Sequence, residues 1–157
     1  MQSTARSQPG RTEVDEADLP CFIRQLFNDG RARDRASALR ELARLLGHQR
    51  LGPRVRLSLE SALRTAVRRG ILQNVRGELS LYARSVTDCD AAFLKSQFLA
   101  AIGRAWITRQ EASRCFARWL GYRRTGPHLE TSARSCINSL LRSGHLEKNG
   151  SDWIRRA

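Results

Sequence analysis

The chain resembles itself at an offset of 74 residues, and no other feature constrains its fold as tightly. The segment starting at Ala43, ARLLGHQRLGPRVRLSLESALRTAVRRGILQNVRGELSLYAR, aligns with the segment starting at Ala117, ARWLGYRRTGPHLETSARSCINSLLRSGHLEKNGSDWIRRA. Gly47 meets Gly121, Arg50 meets Arg124, and Gly52-Pro53 meets Gly126-Pro127. Further on, Arg68 meets Arg142, Gly70 meets Gly144 and Leu72 meets Leu146. Glycine and proline each impose a special backbone geometry, so matches at these positions are not accidents of composition. The chain therefore reads as two copies of one small unit, each of about 65 residues.

Both copies carry the same local signals. Phe22, Ile23, Leu26 and Phe27, like Phe93, Leu94, Phe98 and Ile102, recur three or four apart and predict first helices over 19–28 and 90–102. A short glycine-containing link follows each. Asp34 predicts the cap of one second helix; Thr108 and Glu111 form a capping box for the other. Gly47 and Gly121 stop these helices. Pro53 and Pro127 open third helices, which Gly70 and Gly144 close. Asn149-Gly150 predicts a two-residue hairpin turn, with Arg76-Gly77 less ideally in the same place. Helix, helix, turn, helix and hairpin is the plan of a winged helix. The expected fold class is mainly α with short β-hairpins: two tandem winged helix-turn-helix repeats over 20–86 and 87–157. An acidic tail over 1–19 is expected to be disordered.

Charge points to the partner. The chain carries 28 Lys+Arg against 15 Asp+Glu, a formal +13, and only Lys95 and Lys148 are lysines. Residues 1–20 hold a net −2, residues 21–86 a net +9 and residues 87–157 a net +6, so the excess lies in the two copies. Such a surplus favours a polyanion, because neutralised phosphates release counterions.

On the third helix of copy one, Val55, Leu59, Ala62, Leu63 and Ala66 make the inner face. Arg54, Leu57, Ser61, Arg64 and Arg68 make the outer face. In copy two, Leu129, Ala133, Cys136, Ile137 and Leu140 turn inward, and His128, Thr131, Ser135, Asn138 and Arg142 turn outward. Arginines grip phosphates or guanine edges; Thr, Ser and Asn read base edges with little charge. Copy one is therefore expected to supply most of the electrostatic grip. The basic turns before the third helices add Arg50, Arg123 and Arg124 beside exposed helix N-termini, and the first hairpin adds Arg76. These residues, without Leu57, form the candidate nucleic-acid-binding set.

Catalytic signatures are missing. There is no phosphate-binding G-x-x-x-x-G-K-[ST] loop, no G-x-S-x-G and no H-E-x-x-H. Cys21, Cys89, Cys115 and Cys136 form no C-x-x-C pair, and His48, His128 and His145 complete no zinc spacing. The expectation is a protein with no catalytic residues, cofactor or metal, and with mostly buried free thiols. No apolar run suits a membrane span and no secretory signal opens the chain, so a cytoplasmic, membrane-free protein is expected.

The stretch LGYRRTGPHLETSARSCINSLLRSGHLEKNGSDWIRR resembles a small winged-helix-type domain of uncharacterised function. That domain is appended to large bacterial superfamily-one helicase and nuclease-like proteins. The matching features are Gly121–Gly126, the helix after Pro127, Ser143–Leu146 and the N-G-S-D-W ending in Trp153. Copy one matches more loosely through Gly47–Gly52, Arg68–Leu72 and its R-G-E-L hairpin. The resemblance implies an accessory nucleic-acid-binding or docking module.

The expected function is thus non-enzymatic binding of double-stranded DNA through two winged-helix modules. The alternative is an accessory subunit that docks onto a larger helicase, nuclease or other nucleoprotein complex, since fold alone does not settle function. RNA is less favoured, because aromatic residues are only 6% of the chain and few are expected at the surface.

Overall fold

The structure, a computed structural model, describes residues 15–157. The protein is mainly helical, with two small antiparallel sheets of three strands each. The first half runs α1 (Leu19–Phe27), β1 (Arg33–Asp34), α2 (Arg35–Leu45), α3 (Pro53–Arg68), β2 (Leu72–Val75) and β3 (Glu78–Leu81). The second half runs α4 (Ala91–Ile102), β4 (Ile107–Thr108), α5 (Arg109–Trp119), α6 (Pro127–Arg142), β5 (Leu146–Asn149) and β6 (Trp153–Arg156). The element order is the same in both. The strand orders, β1-β3-β2 and β4-β6-β5, are also the same.

The local signals act as their chemistry requires. The Asp34 carboxylate accepts from the Ser37 N–H at 2.6 Å. Thr108 and Glu111 satisfy each other's backbone N–H at 3.1 Å each, a complete capping box. At the ends of α2 and α5, the His48 and Tyr122 N–H groups reach back to Ala43 and Ala117 carbonyls, each at 2.9 Å. The glycine between has φ +84° at Gly47 and +82° at Gly121, as this helix stop demands.

Two features differ from expectation. The links after α1 and α4 each contain a two-residue strand, which adds a third strand to each hairpin. The hairpin turns also exchange roles. Val75 pairs with Glu78 across Arg76-Gly77, both at positive φ (54° and 85°), a true two-residue primed turn. Asn149 pairs instead with Trp153, leaving the three-residue loop Gly150–Asp152. That loop is tied to the start of α5. The Arg109 N–H donates to the Asp152 carbonyl at 2.9 Å and Arg109 Nε to the Ser151 carbonyl at 3.0 Å.

The apolar side chains form two cores. One gathers Ile23, Phe27, Leu42, Leu63, Ile71, Leu72 and Leu79. The other gathers Phe98, Phe116, Ile137 and Ile154, with Phe98 and Phe116 edge to face at 5.3 Å, and takes in Val86.

Residues 15–19, expected to belong to the disordered tail, are structured. Asp15 caps a 3-10 turn at Glu16–Asp18, and Leu19 begins α1 within the first core at 8% exposure. Residues 1–14 lie outside the described residues. Leu19→Ala should accordingly cost about 2–3 kcal/mol of stability. A thermal melt checks this, and an unchanged midpoint would restore the longer tail.

The halves are joined by a polar and aromatic seam. Arg24 on α1 donates from Nε to the Leu120 carbonyl at 2.9 Å and from Nη1 to the Ala83 carbonyl at 3.3 Å. Its guanidinium also stacks 4.1 Å from the Tyr122 ring centroid, and burial pushes its pKa down. Arg69 stacks 3.8 Å over Trp119, whose indole N–H donates to Gln97 at 2.8 Å. Tyr82 meets Phe93 at 5.5 Å. Among the described residues, neither arginine forms an ion pair; two backbone carbonyls and a ring face hold Arg24, and the Trp119 ring face holds Arg69, whose buried Nε has no hydrogen-bond partner.

Candidate nucleic-acid interface

Pro53 and Pro127 start α3 and α6 just beyond an extended glycine, Gly52 and Gly126, and each helix runs 16 residues. The inner residues named above are buried or half-buried, and every residue of the outer sets is exposed. Burial pushes the Cys136 thiol up to about 11, so its inner position holds it as a neutral, core-facing group.

Two grooves flank these helices. In the first half, a groove of about 540 Å³ is lined by Ser61, Arg64, Val67 and Arg68 of α3, Arg35 of α2 and Asn74 of the hairpin. Three arginines and no acid line it. In the second half, a groove of about 680 Å³ runs along α6, sharing with the first only the position of Arg64, here Asn138, on the third helix. Asn138 and Arg134 line it with Arg109 and Arg114 of α5, but Glu130 and Asp152 line it too. Thr131 and Ser135 lie elsewhere. They line a groove against α4 with Lys95, whose Nζ is 3.4 Å from Ser139 Oγ.

This corrects one expectation. The second copy is not poor in cations where it faces the groove, because Arg134, one helical turn before Asn138, belongs to that side. Its charge is offset by acids rather than absent.

Arg50, Arg54, Arg76, Arg124, His128 and Arg142 are exposed but lie outside both grooves. Arg142 donates from Nε to the Asn138 carbonyl at 3.3 Å. Arg123 is turned to the other half, 5.0 Å from the Phe22 ring centroid and 3.4 Å from Gln25 Oε1.

Arg35, Arg109, Arg114 and Arg134 were not anticipated. For the first three the signal was present. At the 74-residue offset Arg35, Arg40 and Arg44 of α2 recur as Arg109, Arg114 and Arg118 of α5. The second helices keep three arginines across the duplication, whereas the third helices keep one, Arg68 as Arg142.

Most of this charge is uncompensated. Among the described residues only Arg33 and Arg155 form ion pairs, Arg33 with Asp29 and Glu41 at 2.6 and 2.7 Å, and Arg155 with Glu147 at 2.8 Å. Arg33 is thereby withdrawn from any outside partner. Its hydrogen bonds, with the Arg31 N–H, hold the Asp29 carboxyl down at about 2. A depressed carboxylate stabilises the fold above its ordinary value near 3.8 and loses that contribution as pH falls towards 2. Titration of the Asp29 carboxyl followed by NMR should show a midpoint near 2, rising towards 3.8 in Arg33→Ala. An unchanged midpoint in that variant would exclude the pairing as the cause.

Two further findings bear on the surface. All four cysteines are free, with Cys21 and Cys136 buried, Cys89 half-buried and Cys115 exposed. The surface is also less bare of aromatics than composition suggested, since Tyr82, Trp106 and Trp153 are all exposed. No helix of the described residues is long and apolar enough to cross a membrane. No protein-family model, curated protein or solved structure matches the chain.

Proposed function

We propose that the protein is a non-enzymatic binder of double-stranded DNA, built from two tandem winged helices. The observation that carries this reading is a groove in each half, bounded by the third helix, the start of the second helix and the hairpin side and lined by three arginines; at the 74-residue offset the two grooves share the positions of Arg35 and Arg109 and of Arg64 and Asn138. A third helix with one solvent-facing side suits the major groove, and arginines at the start of the second helix suit the flanking phosphates. The shared element order and strand order of the halves support the winged-helix assignment.

With about five to eight phosphate contacts, log affinity for a random-sequence duplex should fall against log salt with a slope of roughly −4 to −7. Fluorescence anisotropy across a salt series measures it. A flat response, or no binding at micromolar protein in low salt, would overturn the reading.

One observation favours docking onto a protein instead. Leu57 stands on the outer side of α3 at 65% exposure, an apolar side chain beside the arginines. In that reading duplex binding is weak and salt-insensitive, and a larger nucleoprotein enzyme is the partner.

A further inference from the structure

The sheet of the second half presents a face that the duplex reading does not use. Strand residues alternate between two sides. Ile154 and Leu146 turn into the core, so Trp153 and Arg155 of β6 turn outward with Glu147 of β5. Thr108 pairs with Trp153 and Ile107 with Ile154, which brings Trp106, one residue earlier, opposite Arg155. The Arg155 guanidinium lies 4.6 Å from the Trp106 ring centroid. Its ion pair with Glu147 holds it there and leaves the two without net charge, so what Arg155 offers is the plane of a pinned guanidinium rather than a free cation. Trp153 is 46% exposed, Trp106 37%, and Trp153 has no aromatic or cationic partner among the described residues.

The fold does not demand this. The strands of the first half carry Asp34, Gln73, Val75, Glu78 and Ser80 on the equivalent outward face, and its ring, Tyr82 just past β3, is taken up by Phe93 at 5.5 Å. Two large rings flanking a pinned cation are costly to leave in water and need a partner with flat faces. The half that bears them carries a net +6, with exposed Arg104 and Arg156 close by in sequence, so the partner is an anion. Flat faces joined by negative charge describe unpaired nucleotides, whose bases stack on aromatic and guanidinium planes.

We propose that the outward sheet face of the second half, with Trp153 and Trp106 around Arg155, is a stacking platform for the unpaired bases of a single-stranded nucleic acid. The proposal does not rest on the duplex reading, and the test measures the two separately.

Binding of the full chain to oligo-dT and oligo-rU of about 16 nucleotides, and to a random duplex, is compared for wild type, Trp153→Thr and Trp153→Phe. Wild type should bind the single strands with quenching of its tryptophan emission. Trp153→Thr, which keeps strand propensity, should lose roughly tenfold on single strands while duplex affinity changes less than about twofold. Trp153→Phe keeps a ring and should lose less than about threefold on single strands. A preference for dT or for rU supports the proposal and names the source of the bases. The proposal is overturned by unquenched emission at saturating oligonucleotide, a readout that needs no variant. It is also overturned by a folded Trp153→Thr that binds single strands like wild type, or that loses duplex binding in equal measure. Self-association abolished by Trp153→Thr, without single-strand binding, would assign the face to a second copy of the chain and overturn it as well.

Discussion

Replacing Arg64 and Arg68 together by alanine should weaken binding to every duplex alike, by roughly ten- to a hundredfold near 0.1 M salt. Both side chains line a groove that contains no acid. If each neutralises one phosphate, removing both makes the salt dependence shallower by about two units in slope. Phosphates carry no sequence information, so random and selected duplexes should suffer equally. The fold should not notice. Both residues are exposed, and Arg68 makes only a local hydrogen bond to Thr65 Oγ1 at 3.1 Å, so the stability change should stay within about 0.5 kcal/mol. Replacing Arg109 and Arg134 should cost less affinity, since Glu130 and Asp152 already oppose them. Anisotropy titrations beside thermal melts separate these outcomes. A double Arg64, Arg68 variant that binds like wild type while folded would remove α3 from the interface and make docking the better reading.

The second large effect concerns stability. Gly121→Ala should lose about 3 kcal/mol or more, whereas Gly47→Ala should lose only about 1 kcal/mol. Both glycines end a second helix at nearly the same positive φ. A Cβ at Gly47 meets nothing within 4 Å, so only backbone strain is added there. A Cβ at Gly121 would stand 2.6 Å from the Pro20 carbonyl oxygen and 3.0 Å from its carbon, and neither α1 nor α5 can yield locally. The extra loss is the closeness of the two halves, expressed as energy. It should appear as a drop in melting midpoint of roughly 6–12 °C for a chain of this size. If the two variants melt together, the halves are not in firm contact at Pro20.

What was legible in the sequence was local. Caps and stops depend on one side chain and the backbone within four residues of it, so Asp34, Thr108, Glu111 and the paired glycines could be placed without a fold. The amphipathic pattern of α3 and α6 sorted inner from outer residues for the same reason. The missed strands β1 and β4 are two residues long and exist only because a distant strand pairs with them. Asn149-Gly150 failed as a two-residue turn because the Ser151 and Asp152 carbonyls of the loop are claimed by Arg109, 42 residues before Ser151 in the chain. Arg134 was missed because a helix side wide enough to face a groove includes neighbours that a single outward line leaves out. Trp119 falls on the apolar side of its helix with Ala112 and Phe116, but nothing near Arg24 in sequence distinguished it from a surface arginine. From the other half Arg24 takes the Leu120 carbonyl and the Tyr122 ring, and Trp119 takes the Arg69 guanidinium.

The seam through Arg24, Tyr122 and Gly121 has one more consequence. A chain whose halves swing on a tether can straddle targets of many lengths; a chain whose halves are seated together is a calliper with one opening. Along B-form DNA, one base pair more or fewer between two points of contact changes their separation by about 3.4 Å and rotates one of them about the axis by roughly 35°. On the duplex-binding reading, a locked calliper would measure phase, favouring contact points one set interval apart whatever bases lie between them.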